Sequence, residues 1–387
     1  MKLAFVTDNG FSRKNGMFFY SGANVQHYYT VTKHFEDIVF VARNNSYEPS
    51  SNVISNKYQV YLVDSIVSGK DILNNYKKLD KILERVIIES DIVMCFGING
   101  YFAYRKAQRY KKPVLIYVGG CVYDTLINMN SYLKKMSAPI VKFFVKIMIK
   151  NANYVHYVDQ YLVDRYPTKG NYLICPSVRI SIDQNAIIFR KKSIVQKSKI
   201  TKIGLIGYAN NKIKGIDTAI RSLKLLGDKF KLEVVGRGDH SWLDNLAKRL
   251  NVENQVKFLG ILSGREVIFK WLDSIDIYIQ PSLTEGMPRA TIEAMSRGCP
   301  IVSSNAGGLK NIIDKEFRIK SGDYIELANK INSLSKDKVK MFEQGNKNFI
   351  VASQFNSIIL DKKRNNFYEG IHDDLLERFN NFIGENI

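Results

Sequence analysis

The stretch from Pro281 to Gly308 reads PSLTEGMPRATIEAMSRGCPIVSSNAGG, and it directly follows an apolar strand, Ile275 to Gln280. Pro288 can open a helix, because the first helical position makes no use of the N–H that proline lacks, and Gly298 suits the far end. Cys299 to Ser304 is then a short apolar run with strand character, and Asn305 to Gly308 a turn. A strand, loop, helix and strand in this order make one unit of a parallel sheet. The mouth of the helix, preceded by glycine, points unpaired N–H groups and the positive end of the helix dipole at the loop, so it is a seat for an anion. Two glutamates, Glu285 and Glu293, flank that seat with seven residues between them.

The same alternation runs through the rest of the chain. Strands are expected at Lys2 to Thr7, Ile38 to Val41, Tyr58 to Val63, Ile92 to Phe96, Val114 to Val118, Tyr154 to Val158 and Tyr172 to Cys175. A long loop, Asp8 to Gly22, leads from the first strand to a helix over Ala23 to His34, with Ser21-Gly22 at its mouth as a second candidate anion seat. Two later strand ends are glycine-rich, at Gly97 to Gly100 and at Gly119-Gly120. His156 reads as a strand side chain. From Val178 to Lys199 the chain turns polar and charged, which suits a connection between domains. Beyond it come a strand at Lys202 to Gly207, a helix at Gly215 to Leu226, and a strand at Leu232 to Val235 with Gly236-Arg237-Gly238 behind it. A helix at Ser241 to Leu250 and a strand at Val256 to Leu259 complete the series. Apolar strands alternating with amphipathic helices predict doubly wound α/β sheets, with ligands at the C-terminal ends of the strands.

A chain of 387 residues exceeds what one hydrophobic core usually holds, so two domains are expected. The four cysteines, at 95, 121, 175 and 299, have no metal-ligand spacing and sit in apolar surroundings, the pattern of reduced, packed thiols. MKLAFV is a strand rather than a leader, and no apolar run is long enough to span a bilayer, so a cytoplasmic protein is expected. The net charge of +20 implies an anionic partner. Nucleic acid is not favoured, for no recognised binding module or aromatic and basic interleaving is present. The segment Lys134 to Lys150, KKMSAPIVKFFVKIMIK, sets Lys142, Lys146 and Lys150 on one face of a helix beside a strongly apolar remainder. That is the pattern of a helix lying on an anionic membrane, and equally of a domain helix with solvated lysines.

In the second half, four strand ends carry Lys214-Gly215, Gly236-Arg237-Gly238, Gly260 and Glu285-Gly286. On neighbouring parallel strands these would meet on one rim, where backbone amides, a lysine and a helix terminus can bind a phosphorylated ligand. The two carboxylates call for polyhydroxylated partners. A nucleotide sugar, with a sugar on each side of a diphosphate, satisfies both.

The series Lys214-Gly215, Val235 to Gly238, Lys257 to Gly260, Pro281-Ser282, Glu285 to Pro288, Ile292 to Met295, Gly298, Pro300 and Gly307-Gly308 resembles the glycosyltransferases of family 4. The match is dense from about 200 to 320 and looser over the first 180 residues. The resemblance implies a retaining enzyme of GT-B fold, with two facing Rossmann-like domains and a cleft between them. It divides the chain into an acceptor-binding domain at 1–190, a nucleotide-sugar domain at 191–345 and C-terminal helices at 346–387 that cross back to the first domain. Glu285 would meet the donor sugar, Lys214 and the amides around Gly286, Met287 and Pro288 the diphosphate, and Glu293 the ribose. Gly207, Tyr208 and Arg237 would line the donor site, Gly22 would close over the diphosphate, and Gly119 and Gly120 would meet the acceptor. Two positions depart from the family: Tyr208 stands where an arginine is common, and Gly119 where many members carry a histidine. Lys212 or Arg237 would then supply the missing cation. No Asp-x-Asp metal motif is present, Asp273 and Asp276 read as surface acids, and neither metal nor cofactor is expected.

The implied donor is a UDP- or GDP-sugar, and the implied acceptor a glycan or polyprenyl-linked glycan at the inner face of the cytoplasmic membrane. A nucleotide-sugar epimerase of the same fold and a non-catalytic glycan-binding relative are the alternatives.

Overall fold

A computed structural model describes the chain apart from residues 21–30, 46–52, 65–68, 130, 179, 197–198 and 385–387. The chain divides into two compact units. One comprises Met1–Gly119, Lys142–Ser177 and Asp361–Ile387, the other Gly120–Val141 and Val178–Leu360.

The first unit is built on a nine-stranded sheet. Its strands are β1 (Lys2–Lys14), β2 (Met17–Tyr20), β3 (Asp37–Asn44), β4 (Val53–Ile54), β5 (Gln59–Val63), β6 (Ile92–Phe96), β7 (Val114–Val118), β8 (Tyr154–Tyr157) and β9 (Asn171–Ile174). Seven are parallel, in the spatial order β5-β3-β1-β6-β7-β8-β9. Leu3, Ala4, Phe5 and Val6 of β1 are all buried, the continuous apolar run of a strand covered on both faces. The loop expected from Asp8 is instead the far half of β1, which passes a register shift between Thr7 and Gly10 and turns back into β2. The turn is Asn15-Gly16, with φ of 50° and 78°. Both values suit a type I′ hairpin, and Asn-Gly is its strongest sequence signal. The helix expected over Ala23 to His34 falls largely outside the described residues.

The second unit holds six strands: β10 (Thr201–Ile206), β11 (Phe230–Val235), β12 (Val256–Gly260), β13 (Ile277–Gln280), β14 (Ile301–Ser304) and β15 (Arg318–Ile319). All pair in parallel, in the order β12-β11-β10-β13-β14-β15. Both sheets thus start from a central strand, wind outward one way, and then restart on the other side. The second sheet restarts between β10 and β13, and in such sheets ligands bind beyond the strand ends at that switch point.

The polar segment after Val178 is not a connection, and the boundary lies at Ser177/Val178 rather than at 190. Residues Asn185–Val195 form a helix of the second unit, and its Arg190 is fully buried. The guanidinium donates to the carbonyls of Ile275 at 2.6 Å, Leu272 at 2.8 Å and Arg297 at 3.2 Å. These carbonyls cluster at the ends of the helices Arg265–Ser274 and Arg289–Ser296, where helical partners run out. A charge run in the sequence is therefore compatible with burial, because one arginine satisfies several orphaned acceptors. Nη2 of Arg190 also lies 2.9 Å from Cys299 Sγ. All four cysteines are buried, and none is in a disulfide.

The segment from Asp361 is tied into the first unit by polar contacts. Tyr368 stacks on His34 and its hydroxyl meets Nδ1 of buried His156 at 3.0 Å, while His156 Nε2 meets the Cys175 carbonyl at 2.7 Å. Tyr154 bonds Asp374, and buried Arg364 donates to the Pro176 carbonyl at 3.1 Å. Burial holds both His34 and His156 down to about 4. Each gains its proton more readily when unfolded, so their contribution to stability is complete above about pH 6.5 and is lost as pH falls toward 4. Unfolding free energies from urea titrations between pH 7.5 and 4 should therefore fall across that window, with the larger share from His156, which is fully buried, and the smaller from half-buried His34.

Candidate functional site

Lys214 and Glu285 meet at the switch point of the second sheet, and three local features bring them there. Asn211 Oδ1 accepts from Ile213 N at 3.0 Å and shapes the turn Lys212–Lys214 that follows β10. Leu283 N donates to the Ile213 carbonyl at 2.8 Å, tying that turn to the loop after β13. Gly215 has φ of +68°, and a Cβ there would lie 2.0 Å from the Pro281 carbonyl oxygen. Only glycine permits this approach. On the other side of the loop, Gly307 has φ of +48°, and a Cβ there would lie 1.8 Å from the Glu285 carbonyl oxygen. Gly308 N donates to the Gly286 carbonyl at 3.0 Å.

Glu285 is 7% exposed, and an ionised carboxylate that deep is costly unless several donors meet it. Its Oε1 receives Lys214 Nζ at 2.6 Å, Ser282 Oγ at 2.7 Å and Gln280 Nε2 at a longer 3.4 Å. These donors are themselves held. Burial pushes the Tyr278 phenol well above its ordinary range, so its hydroxyl keeps its proton and donates to Gln280 Oε1 at 2.7 Å. The Gln280 amide is thereby turned, with Nε2 facing Ser282 Oγ at 2.8 Å and the carboxylate beyond. The Ser282 carbonyl accepts from Ser304 Oγ at 2.6 Å and Ser321 Oγ at 3.1 Å. Oε2 of Glu285 takes no hydrogen bond among the described residues, which leaves one carboxylate oxygen of a rigidly held group open to a ligand.

Sequence reasoning picked out Glu285 and Lys214 but passed over Tyr278, Gln280 and Ser282. Their signal is a polar residue at every second position as the chain leaves a strand otherwise buried on both faces, a period that places all three on one side.

The helix after this loop is Arg289–Ser296, so Pro288 is its N-cap, one position earlier than expected. Its carbonyl accepts the first helical bond, from Ile292 N at 3.1 Å, and no side chain caps the first turn. Glu293 lies one turn in. Burial raises its carboxyl, with the positive charges of Arg289 and Arg265 opposing the shift. Gly207 follows β10, and the stem of Lys214 crosses close over it. Tyr208, next along, is 39% exposed, and the Arg237 guanidinium sits 5.6 Å above its ring. The tyrosine is further held by Asn210 Nδ2, which donates to its hydroxyl at 3.1 Å. A cation from the end of β11 therefore stands beside Tyr208, while Lys212 is exposed to solvent.

The structure thus gathers Gly207, Tyr208, Lys214, Arg237, Glu285, Gly286, Met287, Pro288 and Glu293 in one unit. Gly119 and Gly120 follow β7; a side chain at Gly119 would press on the Tyr117 ring, 3.0 Å from a Cβ. Gly22 lies outside the described residues. Asp273 is paired with Arg297 at 2.7 Å, and Asp276 accepts from Lys202 N at 2.7 Å, so both acids have structural partners. Replacing Ser282 with alanine removes a short hydrogen bond to a buried charge. Chemical denaturation should show a loss of about 1.5–3 kcal/mol.

The family model of glycosyl transferases group 1 matches residues 187–349. Protein CapJ of Staphylococcus aureus is 34% identical over 276 residues, covering 70% of this chain and 69% of that protein. The amylovoran biosynthesis glycosyltransferase AmsK of Erwinia amylovora is 30% identical over 152 residues, 36% of this chain and 37% of AmsK. Among solved structures, Anabaena HepE in complex with UDP and glucose superposes with a TM-score of 0.68 at 17% identity, covering 96% of this chain and all of HepE.

Proposed function

The chain belongs to the group 1 glycosyl transferases and has the GT-B fold, and we propose that it moves a sugar, with retention, from a nucleotide sugar to a glycan or polyprenyl-linked glycan in surface-polysaccharide synthesis. The single observation that carries this reading is the buried Glu285, anchored through one oxygen by Lys214, Ser282 and Gln280 at the switch point of the second sheet. The UDP and glucose bound to HepE favour a UDP-sugar over a GDP-sugar, and the name of AmsK favours a polysaccharide acceptor.

In this reading Oε2 of Glu285 faces the donor sugar and stabilises positive character at its anomeric carbon. Lys214 Nζ, still partly exposed, turns toward the diphosphate and offsets its charge. The uncapped first turn after Pro288, with the loop at Gly286 and Met287, cradles the phosphates. Arg237 serves as the second cation in place of the one missing at Tyr208, and Glu293 accepts from the ribose hydroxyls. The bond from the anomeric carbon to the phosphate oxygen breaks as the acceptor oxygen attacks from the same face, and the acceptor proton passes to the departing phosphate. The scheme calls on no cofactor. Gly119 and Gly120 are the proposed acceptor contacts.

Glu285→Gln keeps an acceptor for Lys214 and Ser282 and should stay folded, yet transfer from the donor should fall at least about 100-fold. Arg237→Ala should raise the KM for donor about tenfold, with little change in kcat if its role is diphosphate binding. A donor at a hundred times its Kd should stabilise the protein by about 2.7 kcal/mol, and product analysis with donor alone separates transfer from epimerisation. Absence of both turnover and stabilisation across common nucleotide sugars overturns the proposal.

Glu293 adds a pH test. A carboxyl raised in the folded state contributes most stability below its unfolded value and loses it as pH rises through the folded one. Glu293→Gln should therefore melt higher than the wild type at pH 7, while its affinity for the nucleoside half of the donor falls.

A further inference from the structure

The helix Tyr132–Lys150 carries a row of large apolar side chains that stand exposed among the described residues. Leu133 is 79% exposed and Phe143 60% exposed, and Met136, Ile140, Phe144 and Ile147 are exposed with them. At 100° per residue these positions fall within about one third of the helix circumference. The opposite side is the packed one, with Ala138 and Ile149 buried. Lys135, Lys146 and Lys150 line one flank of the exposed row, Lys134 lies on the other, and the helix contains no acidic residue. A soluble surface rarely places six such side chains side by side, and a contiguous patch of this kind marks an interaction site.

We infer that this face is an interfacial anchor for an anionic lipid bilayer, lying in the membrane plane with its apolar row among the acyl chains and its lysines at the headgroups. The charge chooses the occupant. A free anion or a nucleic acid would use the lysines and leave the apolar row in water. A second copy docked by symmetry would bring together two helices of five lysines each, with no acid in either to offset them. An anionic bilayer satisfies both features. The helix lies on the membrane rather than through it, since no described helix is long and apolar enough to cross. The basic run from Arg105 to Lys112 adds less than its composition suggests: Lys106 is buried and paired with Asp80 at 3.0 Å and Glu84 at 3.5 Å. The inference does not depend on glycosyl transfer, and its test uses no sugar.

The full chain should sediment with vesicles of phosphatidylglycerol and phosphatidylcholine, and only weakly with phosphatidylcholine alone, with binding reduced as salt is raised. Lys135, Lys146 and Lys150 changed together to Gln should weaken binding to the anionic vesicles about a hundredfold, at roughly fivefold per lysine. Leu133→Ser with Phe143→Ser should weaken it on both kinds of vesicle. All five positions are exposed, so thermal melts should match the wild type. Equal binding to neutral and anionic vesicles, no binding to either, or binding that survives both sets of changes overturns the inference. So does a dimer, seen by size exclusion, that the Leu133 and Phe143 changes dissolve in a protein that ignores vesicles.

Discussion

The ion pair between Lys214 and Glu285 is the constraint on which the second unit depends. A carboxylate that is 7% exposed persists as a charge only where its donors are fixed in place, and fixing them takes four separate segments of chain. β13 supplies Tyr278 and Gln280, the loop behind it Ser282, the turn after β10 the lysine, and β14 the Ser304 that holds the loop carbonyl. Each of these lies at the C-terminal end of a parallel strand. The Rossmann order of the sheet is what puts β10 and β13 side by side, and so what lets residues 71 positions apart in sequence share a proton-rich contact of 2.6 Å.

Three neighbouring features follow from the same rim. The glycines at 215 and 307 sit where the backbone of the 281–286 loop passes within van der Waals distance of two other loops, so the loop is clamped from both sides. The helix that starts after Pro288 has no side-chain cap, which leaves its positive end facing the ligand side. Arg237 over Tyr208 brings a guanidinium to a position where the chain itself places an aromatic ring. Tyr278, Gln280, Ser282 and the Oε1 atom of Glu285 each have a named partner, and such hydrogen-bonded networks are rigid.

Much of this was legible in the residues. The strands β6 and β7 fall where apolar runs predict them, and the motif series over 200 to 320 singles out Lys214 and Glu285, which the structure joins at 2.6 Å. What was not legible came from partners distant in sequence. Arg190 looks like surface charge until its three carbonyls are found on two other helices. Tyr278 and Gln280 look like ordinary strand residues until the carboxylate they orient is placed beyond them. The Asn15-Gly16 hairpin is a different case: its local signal was present, but a loop was expected because the strand before it seemed complete at Thr7. The exposed row on the Tyr132–Lys150 helix also needed the structure, since composition alone allows the same residues to be core.

The central claim is that Glu285 and Lys214 exchange their mutual contact for contacts to a nucleotide sugar. A crystal structure with a bound, non-hydrolysable UDP-sugar analogue tests this most directly. The account predicts Lys214 Nζ at the diphosphate, Glu285 still held through Oε1 by Ser282, and its Oε2 within hydrogen-bond distance of the sugar. An analogue bound elsewhere, or bound here with the Lys214 to Glu285 pair intact and neither group touching it, would contradict the account.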